Sequence, residues 1–436
     1  MSNFRLTRAK VKVKVKTKAS SHRENNVKSA SLRIYLLALL LDLLALAANQ
    51  LAARSSAFAN AYSHYVYRVL SLGIDSVTGL LPFSVVELLL YATILFVLFD
   101  FVKQLRRAIR SGIARPLLHF LGHLFLLLSA LLVLYVFLCG INYHRTSFSE
   151  EAGLSVTIDE GGTVYDEADL LALCDYLVTE INDTEAQLAA SATSDANADA
   201  ENAHTSADSG ADEAVASAIN MGGAYIGETQ NTPKASAAWL WHAGRTGQRA
   251  MEKLGQRYRR LSGHYPFPKP LLNTWILSVQ QTTGVYSPFT VEANYNRDIA
   301  YYDIPFTICH ELSHLRGYMQ EEEANFIGVL ATIGADDLYF NYSGYVSAWV
   351  YAGNALARID STAFATLYAR INARTRQDML YNNAYWKQFE GKPAEAHEQL
   401  NDAYLKMQGQ TAGVRSYGHV TDLMLEYFAE NGSLTQ

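Results

Sequence analysis

The chain has 436 residues, half of them hydrophobic, and 36 Lys and Arg against 42 Asp and Glu give a formal net charge of -6. That mild negative balance argues against nucleic acid as the main partner, and three cysteines make no disulfide framework. The length allows one large domain or two ordinary ones, but long apolar runs are concentrated before residue 142, where a soluble domain would not carry them.

The first 33 residues are basic, with Lys10, Lys12, Lys14, Lys16 and Lys18 alternating along one stretch. They read as a solvated cytoplasmic arm near anionic lipid. Apolar runs follow from Ile34 to about Ala53, from Pro82 to Val102 and from Pro116 to Ile141. Each is close to the ~20 residues that cross a hydrocarbon core as a helix. The first is too long for a signal peptide and lacks a small-residue cleavage site, so it is expected to be a retained anchor. Residues 34–141 are thus expected to form a membrane domain of three transmembrane helices. The arm and the segment Lys103, Arg106, Arg107, Arg110 and Arg115 are strongly basic, whereas residues 54–81 carry only Arg54 and Arg68. By the positive-inside rule the N-terminus is cytoplasmic and everything after Ile141 is extracytoplasmic. Asp42, Glu87, His119 and His123 are ionisable groups at membrane depth, where such groups are costly and often functional. His119 and His123, four apart, could supply half a metal site. The preferred reading places them at the interface or packed between helices.

Beyond the spans, Ala168 to Ile181 reads as a helix. Residues 183–218 collapse to Ala, Ser, Asp, Glu, Asn and Thr without an aromatic, which predicts a disordered acidic insertion in a surface loop. Order resumes near Trp239, with helical spacing over Thr246–Leu261. The prolines at 266, 268 and 270 require an extended segment. Trp275–Val279 and Gly284–Asn296 read as short strands, and the pattern is helical from Ile304 onward. The expected class is α+β: three transmembrane helices, then a mainly helical extracytoplasmic domain (142–436) with a small sheet.

Chemistry concentrates in Ile304-Pro-Phe-Thr-Ile-Cys-His-Glu-Leu-Ser-His-Leu-Arg-Gly. Pro305 suits a helix start and Gly317 its left-handed stop. His310 and His314 are four apart, so both imidazoles leave one face of the helix, the spacing by which two histidines chelate one Zn²⁺. Glu311 lies about 100° round the helix, where it can take a proton from a metal-activated water. A surface helix with two satisfied histidines is the competing reading. Against it stand the apolar flanks Phe306, Ile308, Leu312 and Leu315.

A third ligand is expected from Glu321-Glu322-Glu323-Ala324-Asn325, where a second helix begins. Three glutamates in a first turn also serve as plain helix-end charge. Glu321 is favoured because Asn325, one turn later, could orient a metal-bound histidine. Glu323 is the alternative, since it shares a face with Phe326, Ile327 and Leu330.

These residues resemble those of the gluzincin metallopeptidases, in which H-E-x-x-H is followed on a later helix by a glutamate ligand. Glu321 to Asn325 resembles the E-x-x-A-D element of membrane CAAX-prenyl and heat-shock proteases, with Asn325 in place of the aspartate. The whole plan is closer to the bacterial family catalogued as domain of unknown function 3810. That resemblance rests on the three spans, Pro288-Phe-Thr-Val-Glu-Ala-Asn, His310-Glu-Leu-Ser-His-Leu-Arg-Gly, Glu323-Ala-Asn-Phe, Tyr404-Leu-Lys and Gly413-Val-Arg-Ser-Tyr-Gly. It implies a zincin-like (gluzincin) fold and supplies no substrate.

Gly284–Asn296 could be the edge strand on which an extended peptide is laid, with Glu292 or Asn294 facing the cleft. Arg415, Tyr417 and His419 lie on a late Gly-bounded turn, from which such groups can stabilise an oxyanion. The resulting expectation is a membrane-anchored peptidase with one Zn²⁺ per chain, acting on a peptide or protein, with the bilayer as its other partner. The alternatives are a silent membrane sensor or scaffold that retains the fold, and a cell-wall peptide amidase.

Overall fold

The computed structural model describes residues 32–111, 114–154, 166–202, 235–407 and 419–435. In chain order α1 (Leu32–Arg54) is followed by α2 (Ser56–Ala61), a π-helical turn (Tyr62–Tyr67), α3 (Arg68–Thr78), α4 (Val85–Ser111) and α5 (Ala114–Leu138). Three helices, α1, α4 and α5, are long and apolar enough to cross a membrane, which supports a membrane protein.

Contacts divide the chain into two units. Of the described residues, one comprises those in 32–54 and 88–137; the other comprises Ser55–Glu87 and those from Leu138 onward. Within the first, Tyr35 Oη donates to the Leu118 carbonyl at 2.7 Å. The Asp100 carboxylate meets His123 Nδ1 at 2.8 Å and accepts from Gln104 Nε2 at 2.9 Å. His123 therefore packs between helices against a carboxylate, and neither it nor His119 joins a metal-holding group among the described residues.

The second unit does not follow the domain limits expected from hydropathy. Residues 55–87, expected as part of the membrane domain, pack with the C-terminal portion. Polar anchors explain why. Glu87 accepts from the backbone N–H groups of Leu272 and Asn273 at 2.8 and 2.9 Å. Glu292 in turn accepts from Val85 N and Val86 N at 3.0 and 2.9 Å, satisfying donors that every helix start leaves open. Lys269 Nζ meets Glu292 at 2.5 Å and donates to the Thr78 carbonyl at 2.6 Å, with Lys269 only 1% and Glu292 2% exposed.

After a short α6 (Phe148–Ala152), α7 runs from Glu167 to Asn202. Its first half buries Leu170, Leu173, Leu177, Val178 and Ile181. The expected disordered insertion is thus corrected as far as Asn202. Alanine is the strongest helix former, and a nucleus packed upstream lets the helix propagate into the polar stretch; residues 203–218 lie outside the described residues. Next come α8 (Ala237–Arg257), β1 (Lys269–Pro270) and α9 (Trp275–Ser278). Trp275–Val279, expected as a strand, is helical because its backbone closes local bonds, Ser278 N to Thr274 O and Val279 N to Trp275 O, both 3.0 Å.

Strands β2 (Gly284–Ser287) and β3 (Glu292–Tyr295) form an antiparallel pair, and β1 lies parallel to β3, giving the order β1-β3-β2. The turn between β2 and β3 holds Val291 at φ 51°, a strained position for a β-branched residue that its full burial maintains. Helices α10 (Asp303–His314), α11 (Glu321–Ile333), α12 (Leu338–Ile359), α13 (Ser361–Arg370), α14 (Ala373–Lys387), α15 (Lys392–Met407) and α16 (His419–Asn431) complete the unit. α7 packs along α12, and α10 is enclosed by α8, α11, α12 and the sheet.

The Lys269–Glu292 contact is a buried ion pair, for which loss of one partner costs about 3–5 kcal/mol. Lys269→Met should lower the thermal midpoint of the detergent-solubilised protein markedly. The double variant Lys269→Met/Glu292→Gln should recover part of that loss, and equal midpoints for wild type and Lys269→Met would show that the pair does not hold this corner.

Candidate metal centre

Helix α10 carries Asp303 in its first turn, and Gly317, at φ 84°, takes the left-handed conformation that lets the chain turn back three residues past its end. The reversal delivers α11 so that its first residue, Glu321, faces the histidines. The His310 and His314 rings stand edge-to-face with centroids 4.8 Å apart. Their Nε2 atoms are 3.2 Å apart. Glu321 Oε2 lies 3.4 Å from His310 Nε2 and Glu321 Oε1 3.9 Å from His314 Nε2. Donor atoms of all three lie within 4.8 Å of one another. With metal–nitrogen bonds of about 2.0–2.1 Å, neighbouring donors of a tetrahedral zinc stand roughly 3.3 Å apart. The spacing and the N, N, O donor set fit Zn²⁺.

Proton placement fits as well. His314 Nδ1 is 2.7 Å from the Tyr318 carbonyl, which can only accept, so Nδ1 carries the proton and Nε2 presents its lone pair. Asn325 is buried one turn beyond Glu321, and its side chain favours the His310 cation, whose Nδ1 has no hydrogen-bond partner. Burial holds the His314 pKa down to about 4, aided by the neighbouring His310. Burial also disfavours the His310 cation, but the hydrogen bond and charge of Glu321 outweigh it and raise that pKa. Glu321 shows the reciprocal effect: burial would raise its pKa, and the His310 bond brings it below the usual carboxylate value.

Glu311 is buried beside this group, and its Oε2 has no hydrogen-bond partner. Burial lifts its pKa to about 8, with His310 opposing and Glu321 adding to the rise. The wall on its other side is β2. A Cβ placed on Gly284 would meet Glu311 Oε1 at 2.5 Å and Cγ at 2.7 Å, so only glycine lets the strand approach the carboxylate this closely. The donors are not sealed in: the side chains of His310, His314 and Glu321 keep 12%, 8% and 24% exposure.

The other residues expected at the site separate clearly. Glu323 is not brought to the histidines; its carboxylate accepts from Ser149 N at 3.0 Å and Ser149 Oγ at 2.8 Å. Glu292 and Asn294 lie on the central strand β3, not on an edge. Glu292 is engaged by Lys269 and the α4 start, and Asn294 Nδ2 donates to the Val285 and Glu292 carbonyls. His419 meets Asp422 of its own helix at 3.0 Å and does not join the metal-holding group. Arg415 and Tyr417 lie outside the described residues.

Three contributors carried no readable signal. Gly284 and Tyr286 come from β2, the latter with its ring 5.9 Å from that of His314. Tyr67, from the π-helical turn, has its hydroxyl 3.0 Å from that of Tyr286 and donates to the Leu315 carbonyl at 3.2 Å. Nothing in the spacing between two apolar runs signals that a tyrosine there supports a helix more than two hundred positions later.

A family model described as protein of unknown function (DUF3810) matches residues 62–425. No curated protein and no solved structure matches the chain.

Zinc measured on the purified protein should be close to one per chain. It should fall at least roughly tenfold in His310→Ala and in Glu321→Gln at limiting free zinc, since each removes a direct donor. Glu323→Gln should retain the metal and lose stability through the Ser149 contact. Retention by Glu321→Gln with loss in Glu323→Gln would reverse the assignment of the third donor.

Proposed function

We propose that this chain, which belongs to the DUF3810 family, is a membrane-anchored zinc-dependent peptidase. The observation that carries the reading is the convergence of His310, His314 and Glu321 beside a buried carboxylate, Glu311, that has an unpartnered oxygen. Zn²⁺ held by the three donors would supply Lewis acidity, activating a water and polarising the scissile carbonyl.

The protein's own groups account for the rest. Glu311 accepts the proton of the attacking water and returns it to the departing amine, and burial raises its proton affinity, which favours the accepting half of that transfer. His314 is fixed in one tautomer by the Tyr318 carbonyl, so its donor nitrogen needs no reorganisation. β2 pairs with β3 on one side only, and an extended peptide laid on its other edge by main-chain pairing would pass the Gly284 backbone next to Glu311.

The catalytic unit is proposed to lie outside the cytoplasm, as the Lys and Arg asymmetry indicates. A second observation supports a three-span topology. Residues 55–87, between the first two apolar helices, pack into one unit with residues from 138 onward. Crossing twice more returns the chain to the side of the 55–87 segment, so three spans let these two stretches meet.

The test is digestion of a mixed peptide library, read by mass spectrometry, with zinc measured on the same samples. Glu311→Gln should keep its zinc and lose about 10²–10⁴-fold of the turnover. Chelation should abolish cleavage in the wild type and added zinc should restore it. A zinc-loaded wild type that leaves every peptide and wall fragment intact would overturn the peptidase reading in favour of a sensor that keeps the fold.

A further inference from the structure

A cleft separate from the metal donors opens behind the end of α10. Arg68, Arg145, Arg260, Arg316, His64 and Tyr67 line it, from the π-helical turn, α3, the start of the C-terminal portion and the residues just after His314. Four guanidinium groups face one space. The carboxylate that meets them is Glu151, 3.1 Å from Arg145 and 2.5 Å from Arg260, with Asp75 of α3 close enough to act on Arg316. Positive charge remains in excess.

The two deepest arginines are built in. Arg145 and Arg316 are only 6% and 8% exposed. Arg145 stacks over the Tyr318 ring at 4.3 Å and Arg316 over the Tyr265 ring at 4.1 Å. Stacking of this kind holds a planar guanidinium in one orientation. Arg145 Nη1 donates to the Arg316 carbonyl at 2.7 Å and to Ser63 Oγ at 3.2 Å. Yet the Nε atom of each is buried without a hydrogen-bond partner. Unpaired buried donors on cations are expensive, and fixed guanidinium planes are the arrangement that binds phosphate oxygens in bidentate fashion. Arg68 and Arg260 stand half-buried at the mouth, where Arg68 donates to the Ser262 carbonyl at 3.3 Å and Arg260 to Asn60 Oδ1 at 3.2 Å beside its contact with Glu151. The π-helical turn that contributes Ser63, His64 and Tyr67 is a rare distortion that recurs at functional sites.

We propose that this cleft binds one phosphate-class anion, held by Arg145 and Arg316 and closed over by Arg68 and Arg260. The chemistry is shared by free phosphate and by a phospholipid headgroup. The proposal stands apart from the peptidase reading, because none of the four arginines is a metal donor and binding requires no turnover.

The experiment is calorimetric titration of the full-length, detergent-solubilised protein with inorganic phosphate and, separately, with a short-chain phosphatidylglycerol below its micelle concentration. The double variant Arg68→Gln/Arg260→Gln leaves the buried pair in place, and its zinc content and thermal midpoint report whether it folds. Saturable binding of either probe, weakened roughly tenfold or more in the variant, is expected. Phosphate binding would identify a soluble anion, and binding of the lipid alone a headgroup. No saturable binding of either probe, or binding of equal strength in a folded variant, would overturn the proposal. So would equal binding of sulfate and chloride, which means an adventitious ion only.

Discussion

The candidate site depends on one constraint: two imidazole nitrogens 3.2 Å apart and a carboxylate 3.4 Å from one of them are held together by the surrounding chain. Left alone, such a group would spread, because buried donors and acceptors gain by finding other partners. It is prevented from spreading by backbone. The Tyr318 carbonyl pins His314, the left-handed turn at Gly317 fixes where α11 begins, and β2 closes against Glu311 at Gly284. These are covalent or main-chain constraints with few rotamers to lose, so the geometry persists at low entropic cost.

The same economy explains why the segment between the first two apolar helices belongs to this unit. Two carboxylates make the join: Glu87 of α4 accepts the N–H groups of Leu272 and Asn273 just after β1, and Glu292 of β3 accepts those of Val85 and Val86 at the start of α4. Lys269 neutralises one of them inside the protein. Glu87 was notable in the sequence as a charge inside an apolar run, where a functional role is the default reading. Its partners give it a structural one, at the first turn of α4 and not at mid-span.

What could be read from the sequence was what repeats with a period or stands at a fixed spacing. Three apolar runs, the i, i+4 histidines, Glu321 and its one-turn partner Asn325 are local in the chain. Glu321 and Glu323 shared a first turn and differed by two positions, and local pattern favoured Glu321 only through Asn325, with Glu323 as the alternative. Only the packing of Ser149 against Glu323 separated them. Trp275–Val279 has strand composition, yet anchoring of Leu272 and Asn273 by Glu87 and local backbone closure make it a helical turn. Tyr67 and Gly284 act through long-range contact, and long-range contact leaves no mark in a single sequence. The ionic corner of Lys269 and Glu292 was hidden for the same reason: the two stand 23 positions apart, one in the proline-rich extended segment and the other in a later strand.

The arrangement around Glu311 also bears on whether the centre is structural or catalytic. A structural zinc site closes its coordination with protein ligands and needs no neighbouring base. Here three side chains converge, they retain partial exposure, and a second carboxylate, Glu311, is buried next to them with an oxygen that nothing in the described residues engages. Burial of that carboxylate costs stability, and its raised pKa measures part of the cost. A scaffold would gain by replacing it with an apolar side chain, since Gly284 already leaves room for little else. Helix α10 thus has two polar ends of unequal kind. Its front presents His310, His314 and Glu311, and the residues behind it, Leu315 and Arg316, are gripped by Tyr67 and Arg145 from segments on either side of the apolar helices α4 and α5 in the chain. Both grips hold carbonyls one and two residues beyond His314, so the back of the helix and its histidine face share one stretch of backbone.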